Sequence, residues 1–130
     1  MMEARLRRVE RLLAALTRLM SAVRRQVERH EQALARLRET EAAVRAAYDR
    51  CGTLTDVAAT GLTRLVQRLW AERARTEQAL ALEWRRLLRL EMTAKRLTLR
   101  RVWLADQLTR KAMERDMAEL VGSRFLSAQG

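Results

Sequence analysis

The sequence predicts an all-α chain folded as an antiparallel two-helix coiled-coil hairpin. Three observations predict it. One apolar stripe with alternating three- and four-residue steps runs over residues 6–51, and another runs over residues 62–108. Between them, Gly52 and Gly61 bracket a short segment in a chain with four glycines and no proline. A repeat averaging 3.5 residues marks a helix that buries a narrow seam against another helix. Two such arms joined by a short connection fold back on each other.

The first arm spans about residues 3–51. Its seam reads Leu6, Val9, Leu13, Leu16, Met20, Val23, Val27, His30, Leu34, Leu37, Glu41, Val44, Tyr48 and Cys51, interrupted only by His30 and Glu41. Good helix formers fill the remaining positions. The tip is expected at residues 52–61. Gly52 can end a helix in the left-handed conformation, and Thr53 or Thr55 can cap the next.

The second arm spans about residues 62–121. Leu62, Val66, Leu69, Arg73, Thr76, Leu80, Glu83, Leu87, Leu90, Ala94, Leu97, Arg101, Leu104 and Leu108 take the same steps, with Arg73, Thr76, Glu83 and Arg101 as polar intrusions. Polar seam residues set register at a cost in stability. Folding at the tip brings Glu41 and Arg73 within about one layer, which predicts an ion pair across the seam; His30 and Glu83 are matched in the same way. After Leu108 the phase slips to Met113, Met117 and Leu120. Gly122 is then expected to end the helix, leaving residues 123–130 as a loose tail. Residues 1–122 form one domain in this reading.

Composition narrows the function classes. Aromatics make up 4% of the 130 residues, too few for an ordinary globular core. One cysteine cannot form an internal disulfide, which favours a reducing compartment. The opening residues lead straight into the heptad stripe, so no signal peptide is expected. No apolar run approaches the roughly 20 residues of a membrane span. A cytoplasmic protein is the expectation.

The net charge is +11, from 27 basic and 16 acidic residues, and Lys95 and Lys111 are the only lysines. Such charge suits nucleic acid, an anionic surface or acidic proteins. It equally suits solvated helix faces laced with pairs four residues apart: Glu3/Arg7, Arg24/Glu28, Glu41/Arg45, Arg68/Glu72, Arg73/Glu77 and Glu91/Lys95.

A two-helix seam leaves one feature of the second arm unexplained. Leu88, Met92, Leu99 and Val102, with Trp103 beside them, lie roughly opposite the seam and among Arg85, Arg86, Arg89, Lys95, Arg96, Arg100 and Arg101. A helix apolar on two faces is normally sandwiched. This face is a candidate docking surface for a partner protein or for a second hairpin. Nearer the tip, Val44, Tyr48, Leu62, Leu65, Val66, Leu69 and Trp70 gather within a few turns. Tyr and Trp often anchor interfaces, although Tyr48 also fits the seam.

No catalytic constellation is legible. His30 stands alone on a seam, and one Cys with one His makes no metal-ligand spacing. There is no phosphate loop, nucleophile elbow or paired-carboxylate pocket. Neither enzyme activity nor a cofactor nor a small-molecule substrate is expected.

A basic helical hairpin of this length, with a central break and heptad arms, resembles the stalk proteins of type III export machines, the flagellar FliJ and virulence YscO group. Residues 110–120 (RKAMERDMAEL) are similar to the charged end of that family's second helix. The resemblance implies a non-catalytic stalk that couples a hexameric export ATPase ring to the export gate, a membrane protein, and that also handles export chaperones. It places the terminal ends (Arg5, Arg7, Arg8, Arg110, Lys111, Arg115) against the ring. Tyr48, Leu65, Leu69 and Trp70 then face the gate, and membrane contact comes only through that partner. The chain is expected as a monomer or weak homodimer. The competing readings are a basic coiled coil that binds nucleic acid, and a purely structural homo-oligomer in which residues 52–61 form only a kink.

Overall fold

A computed structural model describes residues 1–50 and 56–129. Helix α1 spans Met2–Arg50 and helix α2 spans Asp56–Gln129. The two helices pack against each other as an all-α hairpin, with no strand among the described residues.

Two expectations about helix ends are corrected. α2 begins at Asp56, inside the segment assigned to the tip, and it runs through both Gly61 and Gly122 to Gln129. Gly122 therefore does not end the helix, and residues 123–129 continue it. A glycine costs a helix interior only about 1 kcal/mol, and extending an existing helix is far easier than starting one. A methyl group at either glycine would meet nothing within 4 Å. The expectations for Cys51, Gly52, Thr53 and Thr55 lie outside the described residues, as does Gly130.

The chain divides into two compact units, Met20–Arg89 and Met1–Leu19 with Leu90–Gly130. In the first, α1 buries Val23, Val27 and Leu34, while α2 buries Leu69 and Leu87. The ion pair expected across the seam is present: Arg73 Nη1 donates to Glu41 Oε2 at 2.7 Å. This bond fixes which turns of α1 and α2 face each other. The matching pair is absent, since no hydrogen bond or ion pair joins His30 to Glu83 among the described residues. Glu83 instead keeps a buried Oε2 with no hydrogen-bond partner. An arginine arm spans a helix seam more easily than the shorter imidazole does.

In the second unit, α1 buries Val9 and α2 buries Leu104, which is 1% exposed. Leu6, Leu13 and Leu16 of α1 and Leu90, Ala94, Leu97 and Leu108 of α2 are half-buried around them. Beyond Leu108 the pattern stops abruptly. Every residue over 109–128 is exposed, although the helix continues.

Burial follows the heptad stripes closely. Every seam position named from the sequence is buried or half-buried where it is described, except Tyr48 and Arg101. Tyr48 is 55% exposed, so it stands beside the seam and not within it. Threonines tie their hydroxyls back onto the helices: Thr17, Thr40, Thr63, Thr76, Thr98 and Thr109 each donate to the carbonyl four residues earlier. These bonds keep the hydroxyls from competing for other backbone groups.

Candidate interaction surfaces

Near the start of α2, in the Met20–Arg89 unit, the two helices line an open groove of about 410 Å³. Val44 and Tyr48 of α1 and Leu62, Val66, Leu69 and Trp70 of α2 line it, together with the charged Glu41 and Arg45. Tyr48, Leu65 and Trp70 are exposed, as a contact role requires. Leu69 is not. It is a buried seam residue of the hairpin core that also lines the groove. The groove has room for large apolar side chains, with two aromatic rings at its edge. Of the charged lining, Glu41 Oε2 is held by Arg73, while Glu41 Oε1 is buried without a hydrogen-bond partner.

The outer face of α2 is the second surface. Leu88, Met92, Leu99, Val102 and Trp103 are all exposed, Leu99 at 71%. Arg100 stacks over the Trp103 ring with its guanidinium carbon 5.4 Å from the centroid. Such cation–π contacts hold an exposed ring in place with modest energy. The seam side of the helix buries Leu87 and Leu104, so α2 is apolar on two nearly opposite faces, and only one is covered within the chain.

Sequence reasoning stopped this outer face too early. Leu82 and Trp84 are exposed ahead of it, and Met113, Met117, Leu120, Val121, Phe125 and Leu126 are exposed after it. The signal was present in the sequence: Met92, Leu99, Asp106, Met113 and Leu120 recur at one heptad position. The shift after Leu108 is thus a change from the inner stripe to the outer one, which resumes at Met113 after Asp106 and Thr109.

The third surface is basic. Arg5, Arg7, Arg8, Arg110, Lys111 and Arg115 all belong to the unit formed by Met1–Leu19 and Leu90–Gly130, and all are exposed. Arg7 pairs with Glu3 at 3.8 Å and Arg110 with Asp106 at 3.4 Å. Arg73 likewise meets Glu77 at 3.9 Å. Exposed pairs four residues apart contribute about 0.3–0.5 kcal/mol, which leaves the Arg7 and Arg110 guanidinium groups able to exchange partners, whereas Arg73 is also held by Glu41 at 2.7 Å.

No group of three or more His, Cys, Asp or Glu side chains is placed to hold a metal ion among the described residues. No helix among them is long and apolar enough to cross a membrane. Neither family models, nor curated proteins, nor solved structures give a match to this chain.

Proposed function

We propose that this chain is a non-catalytic helical-hairpin adaptor that acts by docking onto other proteins. The form we favour is the cytoplasmic stalk of a type III export apparatus, joining an ATPase ring to the export gate and receiving export chaperones. One observation carries the adaptor reading. Among the described residues seven hydrophobic side chains are buried while twenty large ones are exposed, most of them along α2. A monomer rarely leaves contiguous apolar surface of that kind without a binding role. The export form rests on the resemblance in length, helical hairpin and basic ends.

In that form the exposed basic residues Arg5, Arg7, Arg8, Arg110, Lys111 and Arg115 engage an acidic ring. Tyr48 and Trp70 offer the groove to the gate, and exposed Leu65 adds apolar surface on α2. The test is direct. Purified chain added to the cognate ring ATPase should raise its oligomerisation and turnover, and replacing Arg5, Arg7 and Arg8 by Glu should abolish the effect. No binding and no change in rate would remove the export form.

The +11 charge favours a second reading, nucleic-acid binding. The arginines, however, are spread over both helices and interleaved with acids, without a recognised reading motif. Phosphate contacts alone fade steeply with salt. A mobility shift that survives about 150 mM salt would move the balance to this reading.

A further inference from the structure

The polar positions of the outer stripe indicate what covers it. In the Leu90–Gly130 part of α2, one heptad core position holds Met92, Leu99 and Asp106, and the other holds Lys95, Val102 and Thr109. Over residues 92–109 the exposed stripe is therefore interrupted by one cation and one anion, about three turns apart, and Asp116 follows at the Lys95 position. Any occupant has to meet both.

A parallel pair of copies fails this requirement, because each core position then meets its own equivalent, Lys95 against Lys95 and Asp106 against Asp106. An antiparallel pair succeeds. With the two-fold axis beside Arg100 and Arg101, Leu99 meets Val102 of the second copy, Lys95 meets its Asp106, and Met92 meets its Thr109. Symmetry repeats each contact, so both charged intrusions are neutralised twice. At the edge, Arg96 comes opposite Trp103 of the second copy, one face of whose ring is already covered by its own Arg100. The same phase, continued along the α2 sequence, sets Leu88 against Met113 of the second copy and Arg85 against its Asp116. In this one register two layers are apolar, two pair opposite charges and one sets Met92 against Thr109, and such agreement is the mark of a specified pairing.

We infer that a second copy of this chain docks antiparallel on the outer face of α2, with Lys95 of each copy paired to Asp106 of the other. The stripe offers roughly two dozen core and edge positions a side, within the about 20–30 residues of a standard interface. Other occupants fit less well. An acidic helix would complement the arginines but would oppose Asp106 in the middle of the stripe, and an anionic membrane would meet the same carboxylate. The least favourable approach is Arg89 toward Arg110 of the second copy. It lies at the rim, where solvent screens it, and Arg110 already has Asp106 at 3.4 Å. This inference goes beyond the adaptor reading and does not depend on which protein the hairpin serves.

Sedimentation equilibrium over about 1–100 µM tests it. The 15.1 kDa chain should approach twice that mass. Lys95→Glu should weaken the association about 4- to 30-fold, since two attractive pairs become repulsive; Asp106→Lys should do the same. The double variant Lys95→Glu/Asp106→Lys restores opposite charges and should recover affinity to within about threefold. Both positions are exposed, so helicity by circular dichroism should stay constant throughout. A chain that remains monomeric over the whole range would overturn the inference. So would a dimer insensitive to the single changes, which marks a parallel pair or another face, or single changes that the double variant fails to rescue. The ATPase assay reads the adaptor proposal separately, so either can fail alone.

Discussion

Removing the Arg73 guanidinium probes how the two helices are held in register. Its Nη1 donates to Glu41 Oε2 at 2.7 Å, and the Glu41 side chain is only 11% exposed. The other oxygen, Oε1, already lacks a partner. In Arg73→Ala the carboxylate would lose the bond to Oε2 and be left without a partner on either oxygen while remaining largely out of water. Breaking a fully buried pair costs about 3–5 kcal/mol. Arg73 is 37% exposed, so water replaces part of what it supplies, and about 2–3 kcal/mol is the expected loss. Urea unfolding followed by circular dichroism measures it. Replacing both residues by leucine removes the desolvated charges and continues the apolar seam, so Arg73→Leu/Glu41→Leu should match or exceed the wild type by about 1–2 kcal/mol. A loss below about 0.5 kcal/mol for Arg73→Ala, the scale of an exposed pair, would refute the reasoning. A double-leucine protein as unstable as Arg73→Ala would refute it equally.

Other consequences can be measured with the same assay. Leu104→Ala should cost about 2–5 kcal/mol, because it empties a site that is 1% exposed. Leu99→Ala, on the outer face, should change the unfolding of dilute protein by less than about 0.5 kcal/mol; equal effects would mean the two faces are misassigned. Glu83→Leu should stabilise the chain by about 1–3 kcal/mol, since Glu83 Oε2 is buried without a partner. A loss of stability there would reveal a bond the geometry does not contain. Gly122→Ala lies in open space within α2 and should strengthen the helix by up to about 1 kcal/mol, seen as slower amide exchange over residues 115–128.

The seam was legible in the sequence because burial in a two-helix pair is periodic, and a sustained 3.5-residue repeat matches the period of that burial and not the two-residue period of a strand. Hence Val9, Val23, Val27, Leu34, Leu69, Leu87 and Leu104 could be placed before any geometry was known. The Arg73–Glu41 pair was readable for the same reason, since the position of the tip sets the register. Helix ends were less legible. A glycine weakens a helix by an amount that neighbouring turns can offset, so Gly61 and Gly122 marked boundaries that do not exist. The candidate surfaces fall between these cases. Leu88, Met92, Leu99, Val102 and Trp103 stood out as a second face and are exposed as expected. Its extension through Met113 and Leu120 was obscured by overlap with the inner stripe. Tyr48 stands beside the seam and not within it because neighbouring positions around a helix differ by a rotation that a one-dimensional pattern resolves poorly.

The hairpin requires the start of α1 to lie beside the later part of α2. Nitroxide labels at Glu10 and Ala105 test this most directly, by electron–electron distance measurement in labelled chains diluted with unlabelled chains. Both positions belong to one unit and are exposed on the surface. Packed helix axes lie about 8–10 Å apart, so the hairpin predicts a narrow distribution at roughly 10–20 Å. One uninterrupted helix would instead separate the labels by roughly 140 Å, and a distance beyond reach of the measurement would contradict the hairpin and every surface assigned from it.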